Sequence, residues 1–282
     1  MHVFAASTVL LLALFLRTHR GLTPRQQSWI LTCAGSLIMT AIGCVQVFVW
    51  IWVHNMSFEN LPRSMLVMGD AGSQFFMSYL ICDLVIGAIY YRSSIGLLTG
   101  WIHHIAYIAL LAHLSARNLS PIFHLFSVLE FPTLVLSLGN LDKRNRHDIL
   151  FGTSYFFTRL VFHGFLIFQM AVAHFTSVPQ LSHAYIYPLL VLPVHVHWMR
   201  GWVVQQMRLS RLERSGSTDI SINDTLIKES LKAPPFSSSA PKLRLLRPDY
   251  HVVRRPSLHR HFPSCGDVIT VSPTTVSEIL AS

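Results

Sequence analysis

Seven apolar blocks separated by short polar loops constrain this chain more than any other feature. They are Met1–Leu16, Ser28–Val53, Met65–Tyr91, Gly96–Ser115, Leu119–Gly139, Ile149–Phe175 and Ala184–Met207. A helix needs about 20 predominantly apolar residues to cross bilayer hydrocarbon, and all but the first block reach that length. Their apolar residues are continuous rather than set at amphipathic spacing. Of the 282 residues 51% are hydrophobic and only 12% charged, whereas soluble domains carry roughly a quarter charged. The expected fold class is all-α: a polytopic transmembrane helical bundle of about seven spans. Residues 1–27 would form an N-terminal span and basic loop, and 28–207 the main membrane domain. The remainder, 208–282, turns to Ser, Thr, Pro and basic residues and is expected to be a disordered tail, since it has too little apolar surface to offset its ordering entropy.

The first block has no Lys or Arg before its apolar core and no small-residue cleavage site after it. It reads as an anchor rather than a cleaved signal peptide. Loop charges then set the orientation. Arg17, Arg20 and Arg25, then Arg92, then Lys143, Arg144 and Arg146 fall in alternate loops, on the same side as the tail. The intervening loops hold only Arg63 and Arg117. The N-terminus is thus expected on the lumenal or exterior side and the C-terminus in the cytosol. The acceptor sequons at Asn55 and Asn118 both land on the lumenal side.

The net charge of +9 follows from this topology and favours contact with anionic headgroups. No basic patch is interleaved with aromatic residues, so nucleic acid is not an expected partner. Cys33, Cys44, Cys82 and Cys265 form neither a disulfide framework nor a metal-ligand pattern. No metal or cofactor is expected from these spacings.

Function is concentrated in the ionisable residues inside the apolar blocks, because hydrocarbon strongly disfavours them and they mark working sites. The third block carries Tyr79 and Asp83 on one helical face, at i,i+4. The fourth carries His103, His104 and Tyr107, with His103 and Tyr107 sharing a face. In the fifth, His124, Ser127 and Glu130 follow at i,i+3 steps, and Pro132 suggests a bend. The sixth has Tyr155, Arg159 and His163, and the seventh His195 and His197. Turning these faces inward would create a shared polar chamber, with Asp83 and Glu130 as counter-ions for Arg159. A lone intramembrane histidine, however, is more often an interhelical hydrogen-bond partner than a catalyst.

The segments Phe75–Leu84, Gly100–Tyr107 and Leu129–Thr133, each in its own block, together resemble the TLC domain. That membrane domain is shared by ceramide synthases, translocating-chain-associated proteins and smaller TLC-domain proteins. The likeness covers roughly 28–207, and Arg159 also fits the pattern. In ceramide synthases the His pair belongs to a longer motif whose next span carries His-Asp and a further Asp. Here Glu130-Phe131 stands in that position, with no aspartate in the fifth block. The Glu-x-Pro-Thr form is closer to the smaller members, whose roles centre on membrane lipid composition.

The resemblance implies an endoplasmic reticulum protein of lipid homeostasis that binds, senses or moves a membrane lipid in its polar chamber. Tyr79, Asp83, Tyr107, His124, Ser127, Arg159, His163 and His195 would line it. The alternative is a ceramide-synthase-like acyltransferase taking fatty acyl-CoA and a long-chain base. There His103 or His104 would be the general base or acyl-accepting nucleophile, oriented by Glu130. A seven-helix receptor or transporter and a bis-histidine haem protein are further alternatives.

Overall fold

The computed structural model describes residues 2–176, 181 and 183–215, and most of the expected tail lies outside them. Among the described residues there is no strand, and nine α-helices are joined by turns and by short π or 3-10 segments. They are α1 (His2–Thr18), α2 (Pro24–Phe48), α3 (Arg63–Tyr90), α4 (His103–Ala116), α5 (Ser120–Leu125), α6 (Phe131–Leu141), α7 (Asp148–Tyr155), α8 (His163–Thr176) and α9 (Ile186–Ser215). Each apolar block falls in a helical run. Four runs are long and apolar enough to cross a membrane: Pro24–Val53, Arg63–Tyr90, Ser120–Leu141 and Asp148–Thr176. The apolar helix His2–Thr18 is shorter.

Among the described residues, those up to Arg200 belong to one compact unit and residues 201–215 to another. In the first unit many large apolar side chains point outward. Leu10, Trp52 and Phe175 are each at least two-thirds exposed, at 69%, 74% and 77%. Such a surface would be costly in water and is at home in hydrocarbon, which agrees with a membrane protein.

Helix α2 begins at a capping box. The Thr23 hydroxyl accepts from the Gln26 amide, the Gln26 side chain accepts from the Thr23 amide, and Pro24 occupies the first turn. This arrangement satisfies two otherwise orphaned donors, a cap being worth about 1 kcal/mol. The Gln26 side chain also donates to the Leu141 carbonyl at 3.1 Å, tying the first turn of α2 to the end of α6.

Helix α2 packs along α3, α5 and α6, while α1 lies against α3. Small residues allow these contacts, as is general for helices in lipid. A Cβ on Gly43 would overlap the Val128 backbone nitrogen, and one on Gly69 would come within 2.7 Å of the Pro121 nitrogen. The α1 contact uses Ser7, Leu11 and Phe15, spaced one turn apart and buried. The Thr8 and Ser78 hydroxyls meet there at 2.8 Å. The first apolar block is therefore an integral part of the bundle.

Regular α-geometry breaks down at several places. Leu97–Ile102 and Phe156–Phe162 are π-helical, and Phe126–Glu130 is a 3-10 turn immediately before Pro132. Proline lacks the amide that would continue an α-ladder, so this change of winding matches the expected bend.

Candidate functional site

Three of the irregular turns adjoin charged residues, while a fourth, the π-turn Val49–Val53, is wholly apolar. His103 and His104 follow the Leu97–Ile102 π-turns, Glu130 closes the 3-10 turn, and Arg159 lies within the Phe156–Phe162 π-turns. π-Bulges concentrate at functional sites because they re-aim side chains and loosen backbone bonding.

Arg159 is held from the side of the fifth block. Its Nε donates to the Leu129 carbonyl at 2.9 Å and its Nη2 to the Thr133 hydroxyl at 2.7 Å. The Glu130 carboxylate lies 3.6 Å away, and the guanidinium covers the Tyr155 ring at 5.3 Å. A planar cation in this cage has its fork fixed by neutral acceptors and its charge balanced by one carboxylate.

Beside it, His163 and His195 join α8 to α9 through a contact between their Nδ1 atoms at 3.1 Å. One ring must donate its N–H to the lone pair of the other. Both are buried, at 1% and 5% exposure. His103 and Tyr107 stack at 4.5 Å between centroids. Among the expected residues, Glu130 thus lies at the guanidinium, while His163 pairs with His195 and His103 with Tyr107.

The other expected residues go elsewhere. Asp83 is not a counter-ion for Arg159. Its Oδ1 accepts from the Tyr91 hydroxyl at 2.7 Å, and its Oδ2 lies 3.1 Å from His104 Nε2. That second approach is off the line of a hydrogen bond. His104 Nδ1 donates to the Gly100 carbonyl, one turn back, at 2.8 Å. With Nδ1 used as a donor, Nε2 faces the carboxylate at contact distance. Asp83, not Glu130, is therefore the carboxylate beside His104, because α3 packs against α4. His104 Nδ1 is committed to the backbone and its Nε2 lies against Asp83, whereas the ring nitrogens of His103 have no hydrogen-bond partner among the described residues. The two adjacent histidines accordingly have different work.

His124 and Ser127 are structural. The fully buried His124 ring bridges Ser73 on α3, at 3.1 Å, and Ser127, at 3.0 Å. A neutral imidazole donates to one hydroxyl and accepts from the other, so nothing is left over for a ligand. Tyr79 stacks on Phe76 at 5.7 Å and reaches Thr32 at 3.4 Å, filling the space above Gly35.

Three contributors escaped the sequence reading: Tyr91, Thr133 and the Leu129 carbonyl. Thr133 lies one turn from Glu130 and could have been found on that ground. Tyr91 lies just past the end of α3, two i,i+4 steps beyond Asp83 on the stripe that Tyr79 and Asp83 begin, and could have been found by extending it.

A cleft of about 410 Å³ runs beside the cluster between α4 and α9, lined almost wholly by apolar atoms. Among the described residues no three His, Cys, Asp or Glu side chains approach closely enough to share a metal ion. Compared with known proteins, the chain matches no family model, no curated protein and no solved structure. The likeness to the TLC domain accordingly rests on its three motifs and their order.

Proposed function

We propose that the chain is a TLC-type protein of the endoplasmic reticulum membrane that acts in lipid homeostasis by binding, sensing or moving a lipid. The N-terminus would face the lumen and the C-terminus the cytosol, with the seven apolar blocks as seven spans. The polar group of the lipid would meet Arg159, Glu130, His103 and Tyr107. One observation carries this reading: non-α turns on three separate helical runs contain Glu130 and Arg159 and lead directly into His103. Non-α backbone at membrane depth is tolerated where it is buried in protein or lines a cavity.

The test is lipid retention. Protein purified in mild detergent should carry a defined lipid class, detected by mass spectrometry after extraction. Glu130→Gln, which removes the carboxylate beside Arg159 at nearly constant volume, should lower that retention. Equal lipid content and composition in both proteins would overturn the proposal.

A second reading, acyl transfer from fatty acyl-CoA to a long-chain base amine, draws on His103. Its uncommitted ring nitrogens could accept the amine proton as nitrogen attacks the thioester carbonyl, with coenzyme A leaving as the thiol and the amide remaining. His104, held by the Gly100 carbonyl and packed against Asp83, would position its neighbour. Amide formation by the purified protein, lost in His103→Ala, is the result this reading requires.

A further inference from the structure

We infer that the cleft between α4 and α9 seats the hydrocarbon chain of one lipid, entering sideways from the bilayer. The direction of the chain's polar end, towards the Arg159 cluster, rests on the function proposed above. The seat itself rests on the cleft.

At about 410 Å³ the cleft falls within the range of small-molecule sites, roughly 300–1,000 Å³. It is lined by Ala106, Tyr107, Leu110 and His113 from α4 and by Tyr187 and Leu190 from α9. Ala106 supplies a small side chain where a larger one would fill the space. The apolar residues around it, Ile105, Leu189 and Val194, are well exposed, at 56%, 45% and 43%. The medium at the mouth is therefore hydrocarbon if these helices span the bilayer.

The two ends of the cleft differ, and the difference sets a direction. At one end the Tyr187 hydroxyl meets His113 Nε2 at 3.2 Å, pinning α9 to α4. Six residues back along α4, about 9 Å at helical rise, Tyr107 lines the cleft and stacks on His103. Along α9, Tyr187 lies level with His113, and Leu190 and Val191, about one turn on, line the cleft opposite α4. The cleft thus runs from a hydrogen-bonded pair at one end to Tyr107, packed on His103, at the other. An amphipathic molecule with a narrow apolar tail fits this gradient. A protein helix does not, because the cleft extends over only two turns.

The experiment uses full-length protein in phospholipid nanodiscs containing a diazirine-bearing palmitic acid, followed by illumination and peptide mapping. The expected result is preferential label on 103–116 and 186–200, competed by unlabelled palmitic acid and lost in Ala109→Trp. Ala109 also lines the cleft and is exposed, so tryptophan there occupies the space without displacing core. Leu190→Trp fills the same space from α9, and it decides the matter if the first variant does not fold. Label spread evenly over outward-facing positions such as Leu37 and Trp52, and unchanged by either tryptophan, would overturn the inference. Lipid lost in Glu130→Gln with evenly spread label would remove the cleft and leave the cluster. Competable cleft label with lipid retained in Glu130→Gln would do the reverse.

Discussion

Replacing Tyr91 with Phe removes one oxygen and tests whether Asp83 is the anchor of the histidine pair. The phenol donates to Asp83 Oδ1 at 2.7 Å, and the two residues are 1% and 7% exposed, so water cannot take over the bond. A hydrogen bond to a charged acceptor contributes roughly 1.5–3 kcal/mol in proteins. Pairs between membrane helices average nearer 0.6 kcal/mol, because the unfolded reference state finds partners too. Tyr91 sits at the end of its helix and should fall between these values, at about 1–2 kcal/mol. For a chain of this size each kcal/mol shifts the melting point by about 2–4 °C. Tyr91→Phe should therefore lower the apparent transition by about 2–8 °C, measured in detergent at one fixed scan rate. The ring packing against Phe15, 6.1 Å between centroids, survives the substitution. Asp83→Asn should also destabilise, and the double variant should lose less than the sum of the two. Strict additivity, or a Tyr91→Phe protein that melts with the wild type, would refute the anchor.

Further expectations concern packing and the separation of structural from functional histidines. In a cysteine-free background, Thr8→Cys with Ser78→Cys should oxidise to a disulfide and lose maleimide labelling, because the parent hydroxyls touch at 2.8 Å. Persistent labelling would detach α1 from the bundle. Gly43→Val should cut folded yield and lower the transition, since overpacking costs typically about 1–3 kcal/mol and the obstacle here is the Val128 backbone. Wild-type behaviour would show that α2 and the 3-10 turn are not in contact. His124→Leu should destabilise by about 1–2 kcal/mol through the lost bonds to Ser73 and Ser127 while leaving lipid retention intact. Loss of lipid at full stability would place His124 in the site after all.

The helical class and the location of the helices were legible in the sequence because hydrophobicity over 20 residues is a cumulative signal. The pairing of polar residues was legible where one helix supplied both members and, between helices, for Glu130 with Arg159 but not for Asp83. The His103–Tyr107 face and the link from His124 to Ser127 could be read from i,i+4 and i,i+3 spacing. Which base Asp83 meets could not, since it depends on helix neighbours: α3 beside α4 gives Asp83 to His104, which leaves Glu130 for Arg159. The rest depends on neighbours too. The stripe His124, Ser127, Glu130 divides because the His124 ring bridges Ser73 on α3 and Ser127, while Glu130 lies beside Arg159. Tyr91 stands eight residues beyond Asp83, two i,i+4 steps along the Tyr79–Asp83 stripe, but just past the helix end.

The central claim is that the polar side chains of different helices meet one another inside the bundle rather than facing lipid. The most direct measurement is solid-state NMR of histidine-¹⁵N-labelled protein in bilayers. His163 and His195 should show a through-hydrogen-bond correlation between their Nδ1 atoms, matching the 3.1 Å contact, and it should vanish in His163→Ala and in His195→Ala. Two uncorrelated rings, each unaffected by loss of the other, would contradict the account.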